Sequence, residues 1–181
     1  MGIRIGARWL LHKLDLRVPA GSCAALLGDN GTGKTTLLRA CHGEQELTEG
    51  ALTVDGRVPD ERDPAFRAVV SVLFDDSALF DALTPRQHLD ALGLDLDPEL
   101  PDTPAYTLSS GQRRKLLLLG ALRREHRVLL LDEPERALDA TARRWLADEV
   151  VAAKGRGAAV VLTTHDQRLV ERVADVVVDL G

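Results

Sequence analysis

The residues best equipped for chemistry fall in three places. Gly28-Asp29-Asn30-Gly31-Thr32-Gly33-Lys34-Thr35 has the spacing G-x-x-x-x-G-K-[ST], a match expected by chance on the order of 10⁻⁵ times per start position at average glycine usage. Its residue types suit a polyphosphate. Glycines let the backbone curl until successive N–H groups point inward at phosphate oxygens. A helix opening at Lys34 adds partial positive charge at the same spot. Lys34 can reach β- and γ-phosphates, the Thr35 hydroxyl can ligate Mg²⁺, and Thr36 completes the expected nucleotide-binding set with Gly28 to Thr35. A ligand-free glycine turn would have no use for a lysine there, since its charge opposes the helix dipole.

The second place is Val128-Leu129-Leu130-Leu131-Asp132-Glu133-Pro134, an apolar run ending in two acids. Asp132, at the carboxyl end of a buried strand, can hold Mg²⁺ through water, and Glu133 can orient and activate an attacking water as general base. An apolar strand followed by Asp-Glu is by itself an ordinary strand-to-loop junction; the glycine loop upstream gives it meaning, because ligands of open α/β sheets bind outside such strand ends. The third place is His165, after the apolar run Val160 to Thr163. It can contact a γ-phosphate and the catalytic water, although a histidine after a strand is more often structural or solvated.

These groups need a scaffold, and the hydrophobic pattern supplies one. Cys23 to Leu27, Val69 to Phe74, Val128 to Leu131, Ala158 to Thr163 and Val176 to Leu180 read as strands, mostly without polar alternation, as in a parallel sheet covered on both faces. Lys34 to Cys41, Ser110 to Arg124, Ala140 to Ala153 and Gln167 to Val173 read as helices. Asp139 and Asp166 are N-caps for the last two, and Ser109 with Gln112 has capping-box spacing for the second. The alternation argues for an α/β layered fold. From Asp75 to Thr107 the pattern breaks: Pro85, Pro98, Pro101 and Pro104 leave one short helical stretch, Arg86 to Leu92, in a small insert on the core. The whole, residues 1–181, is expected to be one domain, with the insert and helical subdomain at about 75–124. A length of 181 residues suits one core, and the net charge of -5 offers no basic face for nucleic acid. Cys23 and Cys41 are expected to be reduced and buried. No apolar run approaches the ~18 residues of a membrane span, so the chain is expected in the cytoplasm, attached to a membrane only through partners.

Leu108-Ser109-Ser110-Gly111-Gln112 resembles the LSGGQ motif of ABC ATPases, with Ser110 in place of the first glycine. Asp132-Glu133-Pro134 follows at the family's interval, Ala137-Leu138-Asp139 resembles its D-loop, and Thr164-His165-Asp166 its switch histidine. The resemblance covers nearly the whole chain. It implies a P-loop NTPase fold of the ABC ATPase type: a mostly parallel core sheet flanked by helices, a small N-terminal antiparallel β element and a short helical insert. It implies ATP and Mg²⁺ as ligands, with Lys34, Glu133 and His165 as the catalytic set. It also implies a second ATP-binding chain, in a homo- or heterodimer, whose Ser109 and Gly111 complete the site over the phosphate loop, and integral membrane transporter subunits driven by closing and reopening of the pair.

The chain departs from the family in four respects. The family's glutamine after the strand read at Val69 to Phe74 is replaced by Asp75, with Asp76 one residue off; an aspartate there can still ligate Mg²⁺. The insert is shorter than the family's helical subdomain, which docks the membrane partner. A leading strand is expected to be missing or shortened. Trp9, the one aromatic ahead of the phosphate loop, lies nearer the following strand than the family's stacking position and either stacks on adenine or packs in the core. The competing functions are a non-transport ABC-type ATPase acting on nucleic acid or ribosomes, and a nucleotide-binding regulator that hydrolyses ATP poorly. The first usually carries tandem domains, coiled coils or basic arms; an intact Glu133 and His165 speak against the second.

Overall fold

The computed structural model describes residues 1–97 and 99–181; Pro98, one of the four prolines of the insert, lies outside the described residues. A two-stranded antiparallel ribbon, β1 (Ile3–Ile5) and β2 (Arg8–Leu11), precedes a five-stranded sheet. The sheet contains β3 (Cys23–Leu27), β4 (Val70–Leu73), β5 (Val128–Asp132), β6 (Ala159–Thr163) and β7 (Val176–Asp179), in the order β4-β5-β6-β3-β7 and parallel throughout. The helices are α1 (Lys34–His42), α2 (Pro64–Arg67), α3 (Pro85–Asp90), α4 (Ser110–Arg123), α5 (Ala140–Gly155) and α6 (Gln167–Val173).

Strands β3, β5 and β6 lack polar alternation because both faces are covered, while β7 at the sheet edge is largely exposed; the period-2 geometry divides the buried side chains between two cores. Leu129 and Leu131 of β5, with Val160 and Leu162 of β6, pack with Leu118 and Leu122 of α4, Leu146 and Val150 of α5 and Leu169 of α6. Leu130 and Val161 point the other way, to Leu37 and Leu38 of α1, Phe66 of α2, and Ile3 and Leu11 of the ribbon. A third cluster holds the insert: Leu89 of α3, Leu100, Ala105 and Leu108 close on Leu116 and Leu119 of α4. Helix α4 therefore has two apolar faces, one on the sheet and one on the insert.

The expected caps are present. Asp139 and Asp166 accept from first-turn N–H groups of α5 and α6, and Ser109 with Gln112 forms a capping box on α4. Two details differ from expectation. Pro85 does not break the insert's helix but opens it at the first turn, behind a Thr84–Gln87 capping box, where the missing N–H would have no intrahelical partner anyway. That helix stops at Asp90, and Gly93, at φ 70°, turns the chain so that the Leu94 N–H returns to the Leu89 carbonyl at 2.9 Å. The short helix α2, capped by Asp63, has too few residues to show a period and was not anticipated. Cys23 and Cys41 are free and buried, and burial pushes both thiols up to about 12.

Candidate functional site

Strand β3 runs between β6 and β7 and ends at Leu27, where the chain enters the glycine loop. Gly28, Gly31 and Gly33 adopt φ of 130°, 83° and 105°, backbone that L side chains rarely take. A Cβ on Gly33 would also press on Leu11 of the ribbon at 3.1 Å. Helix α1 has Gly33 as N-cap, with no side chain capping it, so its first N–H groups remain available to an anion. Lys34 is 6% exposed and folds back over the loop; its Nζ donates to the Gly28 carbonyl at 2.7 Å and the Asp29 carbonyl at 2.9 Å. Asp29, Asn30 and Gly31 are exposed, Thr32 and Thr36 partly so. The Thr32 hydroxyl donates to the Asp29 carbonyl at 3.0 Å and braces the turn.

The carboxyl ends of β3, β6 and β5 meet beside this loop. Asp132 is 2% exposed and opposite Thr163 in register. Its Oδ2 accepts from the Thr35 hydroxyl at 2.8 Å and its Oδ1 from the Thr163 hydroxyl at 2.6 Å. The Glu133 N–H donates to the same Thr163 oxygen at 2.9 Å. Glu133 has φ 43°, a left-handed conformation that takes its side chain off the line of the strand. Its carboxylate lies 3.5 Å from His165 Nε2, with both side chains part-exposed. His165 in turn lines an open cleft with Gly28, Asp29 and Thr164. The phosphate loop, Asp132, Glu133 and His165 are thus brought to one edge of the sheet.

The donor set fits Mg²⁺. A hard octahedral cation takes oxygen ligands at about 2.1 Å, so neighbouring ligands stand about 3 Å apart. Thr35 Oγ1 and Asp132 Oδ2 already have that spacing, in a site that offers oxygen and no sulfur.

Asp75, Asp76 and Trp9 have partners of their own, and Ser109 and Gly111 stand at the start of α4. Asp75 follows β4, and its carboxylate pairs with Arg136. Asp76 pairs with Arg39 at 2.6 Å, and that guanidinium lies over the Phe74 ring at 4.5 Å. Trp9 is outside every core cluster: it is 37% exposed, between Arg4 and His12, so the core-packing alternative does not hold. Ser109 and Gly111 sit at the start of α4 against the Ala137 turn, where a Cβ on Gly111 would stand 3.0 Å from the Ala137 carbonyl. Among the described residues no hydrogen bond joins either to the phosphate loop of the same chain.

Two residues of the site went unnoticed in the sequence. Arg114 is 6% exposed, and its guanidinium donates to the carbonyls of Asp132 and Glu133 at 2.7 Å each, with longer contacts to those of Phe74 and Pro134 at 3.4 Å. Burial lowers its pKa, and the charges of Asp75, Glu135 and Asp132 work against that shift. Glu135, 7% exposed, accepts from the Thr164 hydroxyl and the His165 N–H. The signal for Arg114 was its place on the buried face of α4, one turn ahead of Leu118 and two ahead of Leu122. A charge at a core position asks for partners.

The chain is similar to known proteins. The family model for ABC transporter matches residues 11–136. Protein STAR1 of Oryza sativa subsp. japonica is 35% identical over 187 residues, covering 93% of this chain and 54% of that protein. The sn-glycerol-3-phosphate import ATP-binding protein UgpC 1 of Rhizobium johnstonii is 33% identical, covering 92% of this chain and 50% of its own length. The sulfate/thiosulfate import ATP-binding protein CysA of Bordetella parapertussis is 37% identical, covering 97% of this chain and 56% of its own length. The chain spans about half the length of the curated relatives it matches. Among solved structures, an ATP-binding subunit of an ABC transporter superposes with a TM-score of 0.87 at 24% identity, covering 99% of this chain and 83% of that one, a likeness of fold.

Proposed function

The chain belongs to the ABC transporter family, and on that premise we propose that it is the ATP-binding, ATP-hydrolysing subunit of a transporter, acting as a dimer on separate membrane subunits. One observation carries the reading: the Thr35–Asp132–Thr163 hydrogen-bond chain joins the phosphate loop to the strand ends that carry Glu133 and His165. A structural turn would not need a cation, a hydroxyl, a buried carboxylate and an exposed carboxylate–imidazole pair at one sheet edge.

Each residue has work suited to its place. Main-chain N–H groups from Gly28 to Thr36 bind the triphosphate. Lys34 exchanges its two loop carbonyls for β- and γ-oxygens. Thr35 and Asp132 would hold Mg²⁺, which when bound neutralises charge on those oxygens. Glu133 takes a proton from the attacking water, and His165 orients that water and the γ-phosphate. Among the described residues Ser109 and Gly111 make no hydrogen bond to their own phosphate loop, which suits service to the loop of a second chain. Among the described residues no helix is long and apolar enough to cross a membrane; membrane attachment in this reading comes through partner subunits. The import named for UgpC 1 and CysA is the support for transport. With about half of those proteins' length matched, the cargo is not carried over.

Glu133→Gln tests the reading. Glutamine keeps shape but cannot accept the water's proton, so hydrolysis should fall by roughly 10²-fold or more while ATP binding persists. Loss of its charge beside the γ-phosphate favours the closed pair, so light scattering with saturating Mg-ATP should show a dimer, and Ser109→Arg added to it should return monomers. A Glu133→Gln protein that stays monomeric even with its membrane partner supplied would overturn the composite site. A detergent pull-down that brings no integral membrane protein with the chain would overturn the transport role.

A further inference from the structure

Glu135 has no part in the roles assigned above, yet it is buried beside them. It follows Pro134 in the loop leaving β5 and reaches across to the loop leaving β6. Its Oε1 accepts from the Thr164 hydroxyl at 2.5 Å and from the His165 backbone N–H at 3.2 Å. Thr164 Oγ1 accepts in turn from the Asp166 N–H at 2.9 Å. One carboxylate oxygen therefore organises three consecutive residues around His165. The other, Oε2, is buried with no hydrogen-bond partner among the described residues. An idle buried oxygen is unfavourable, and an apolar side chain would fill the space without it.

The two halves of the Glu133–His165 pair are held differently. Glu133 is pinned at both ends of its backbone, its N–H by Thr163 and its carbonyl by Arg114. The His165 side chain, 52% exposed, makes no other hydrogen bond or ion pair among the described residues. What places it is its backbone, and that is held by Glu135. We propose that Glu135 is a positioning residue that clamps the loop after β6 to the loop after β5 and so sets the His165 imidazole against Glu133. The proposal rests on the reading of that pair as the hydrolytic one.

Glu135→Leu removes the acceptor and keeps the bulk. Its kcat for Mg-ATP should fall at least roughly tenfold while its ATP Kd stays within about threefold of wild type, since the phosphate loop is untouched. Glu135→Gln retains a carbonyl oxygen for both donors and should keep at least about a third of wild-type kcat. Adding His165→Ala should cost the Glu135→Leu protein less than about threefold more, far less than it costs wild type, because the two residues act as a unit. A readout independent of hydrolysis is the imidazole ¹H–¹⁵N spectrum: Glu133→Gln should shift the His165 resonances in the wild-type background and leave them unmoved in Glu135→Leu. Wild-type kcat in Glu135→Leu, or His165 resonances that still answer to Glu133→Gln there, overturns the clamp. If Glu135→Leu does not fold by circular dichroism, Thr164→Val breaks the same bond from the donor side and carries the same expectations, with Thr164→Ser as rescue. A wild-type protein without Mg-ATP hydrolysis counts against the functional reading, and the resonance comparison still decides the clamp.

Discussion

Replacing Arg114 with methionine should destabilise the protein far more than a typical arginine loss. The side chain is 6% exposed and gives two short charge-assisted bonds, at 2.7 Å, to the carbonyls of Asp132 and Glu133. Bonds of that kind contribute ~1.5–3 kcal/mol each, so the pair sets a gross loss of about 3–6 kcal/mol. Against this stands relief from burying a guanidinium, a real cost here because burial lowers its pKa. Methionine also fits the apolar face of α4 that packs on the sheet. The Asp132 carbonyl nevertheless loses its guanidinium donor, the Glu133 carbonyl keeps the Arg136 N–H at 3.1 Å, and Asp132 and Glu135 lose their nearby positive charge; removing one member of such a buried set typically costs ~3–5 kcal/mol. We therefore expect Arg114→Met to lose about 3 kcal/mol. Arg172→Ala, which breaks an exposed pair with Asp148, should lose under about 1 kcal/mol. Urea unfolding followed by tryptophan fluorescence reports both, because Trp145 packs between the sheet core and the insert core. An Arg114→Met midpoint within about 1 kcal/mol of wild type would refute the reasoning, showing that the guanidinium's burial cost cancels its bonds.

Three further outcomes follow from single side chains. Lys34→Ala removes the cation that bridges Gly28 and Asp29, and calorimetry with Mg-ATP should show roughly 100-fold weaker binding or none, about 2.8 kcal/mol at 1.4 per tenfold; affinity within about threefold of wild type would exclude the phosphate-loop assignment. Cys23 and Cys41, with thiols pushed up to about 12 by burial, should resist a thiol reagent at about pH 8 in the native protein and both react in denaturant, since the thiolate is the reactive form; fast native labelling contradicts their placement. His126 is held below its usual pKa, chiefly by burial, so the native state takes up its proton later than the unfolded chain. Its contribution to stability is whole above about pH 6.5 and shrinks as pH falls from there toward the lower native value. His126→Gln should flatten the pH dependence of the melting temperature in that window, and an unchanged slope would assign the acid sensitivity to other groups.

The fold was legible wherever burial leaves a signature in residue type. A parallel strand covered on both faces is apolar along most of its length, and the runs around Leu26, Leu130 and Leu162 show it directly. Capping is local chemistry, so Ser109, Asp139 and Asp166 marked helix starts before any tertiary contact was known. The short helices α2 and α3 were harder because four to six residues carry no period, and a proline at such a start looks the same as a proline that breaks a helix. Strand order was out of reach: β3 lies between β6 and β7 through pairings that span the chain, and no local pattern encodes which parallel strands become neighbours.

The site shows the same divide between local and distant causes. A phosphate loop is one contiguous segment, so its residue types and spacing describe it fully. Arg114, Glu135 and Asp75 act instead through partners 18 to 61 residues away, and neither residue type nor spacing announces such contacts. Asp75 shows how this redirects a reading. Its place after a strand suggests an acid that could meet Mg²⁺, and the structure pairs it with Arg136, one residue past Glu135, at the end of β4. Arg136 belongs to the loop that carries Glu133, so the ion pair ties the insert's entrance to that loop, as Arg114 ties α4 to it through its carbonyls. Both ends of the insert therefore make contact with the residues flanking Glu133. In a protein proposed to turn hydrolysis into movement of a docked partner, those two links are where a change at Glu133 would first be felt by the insert.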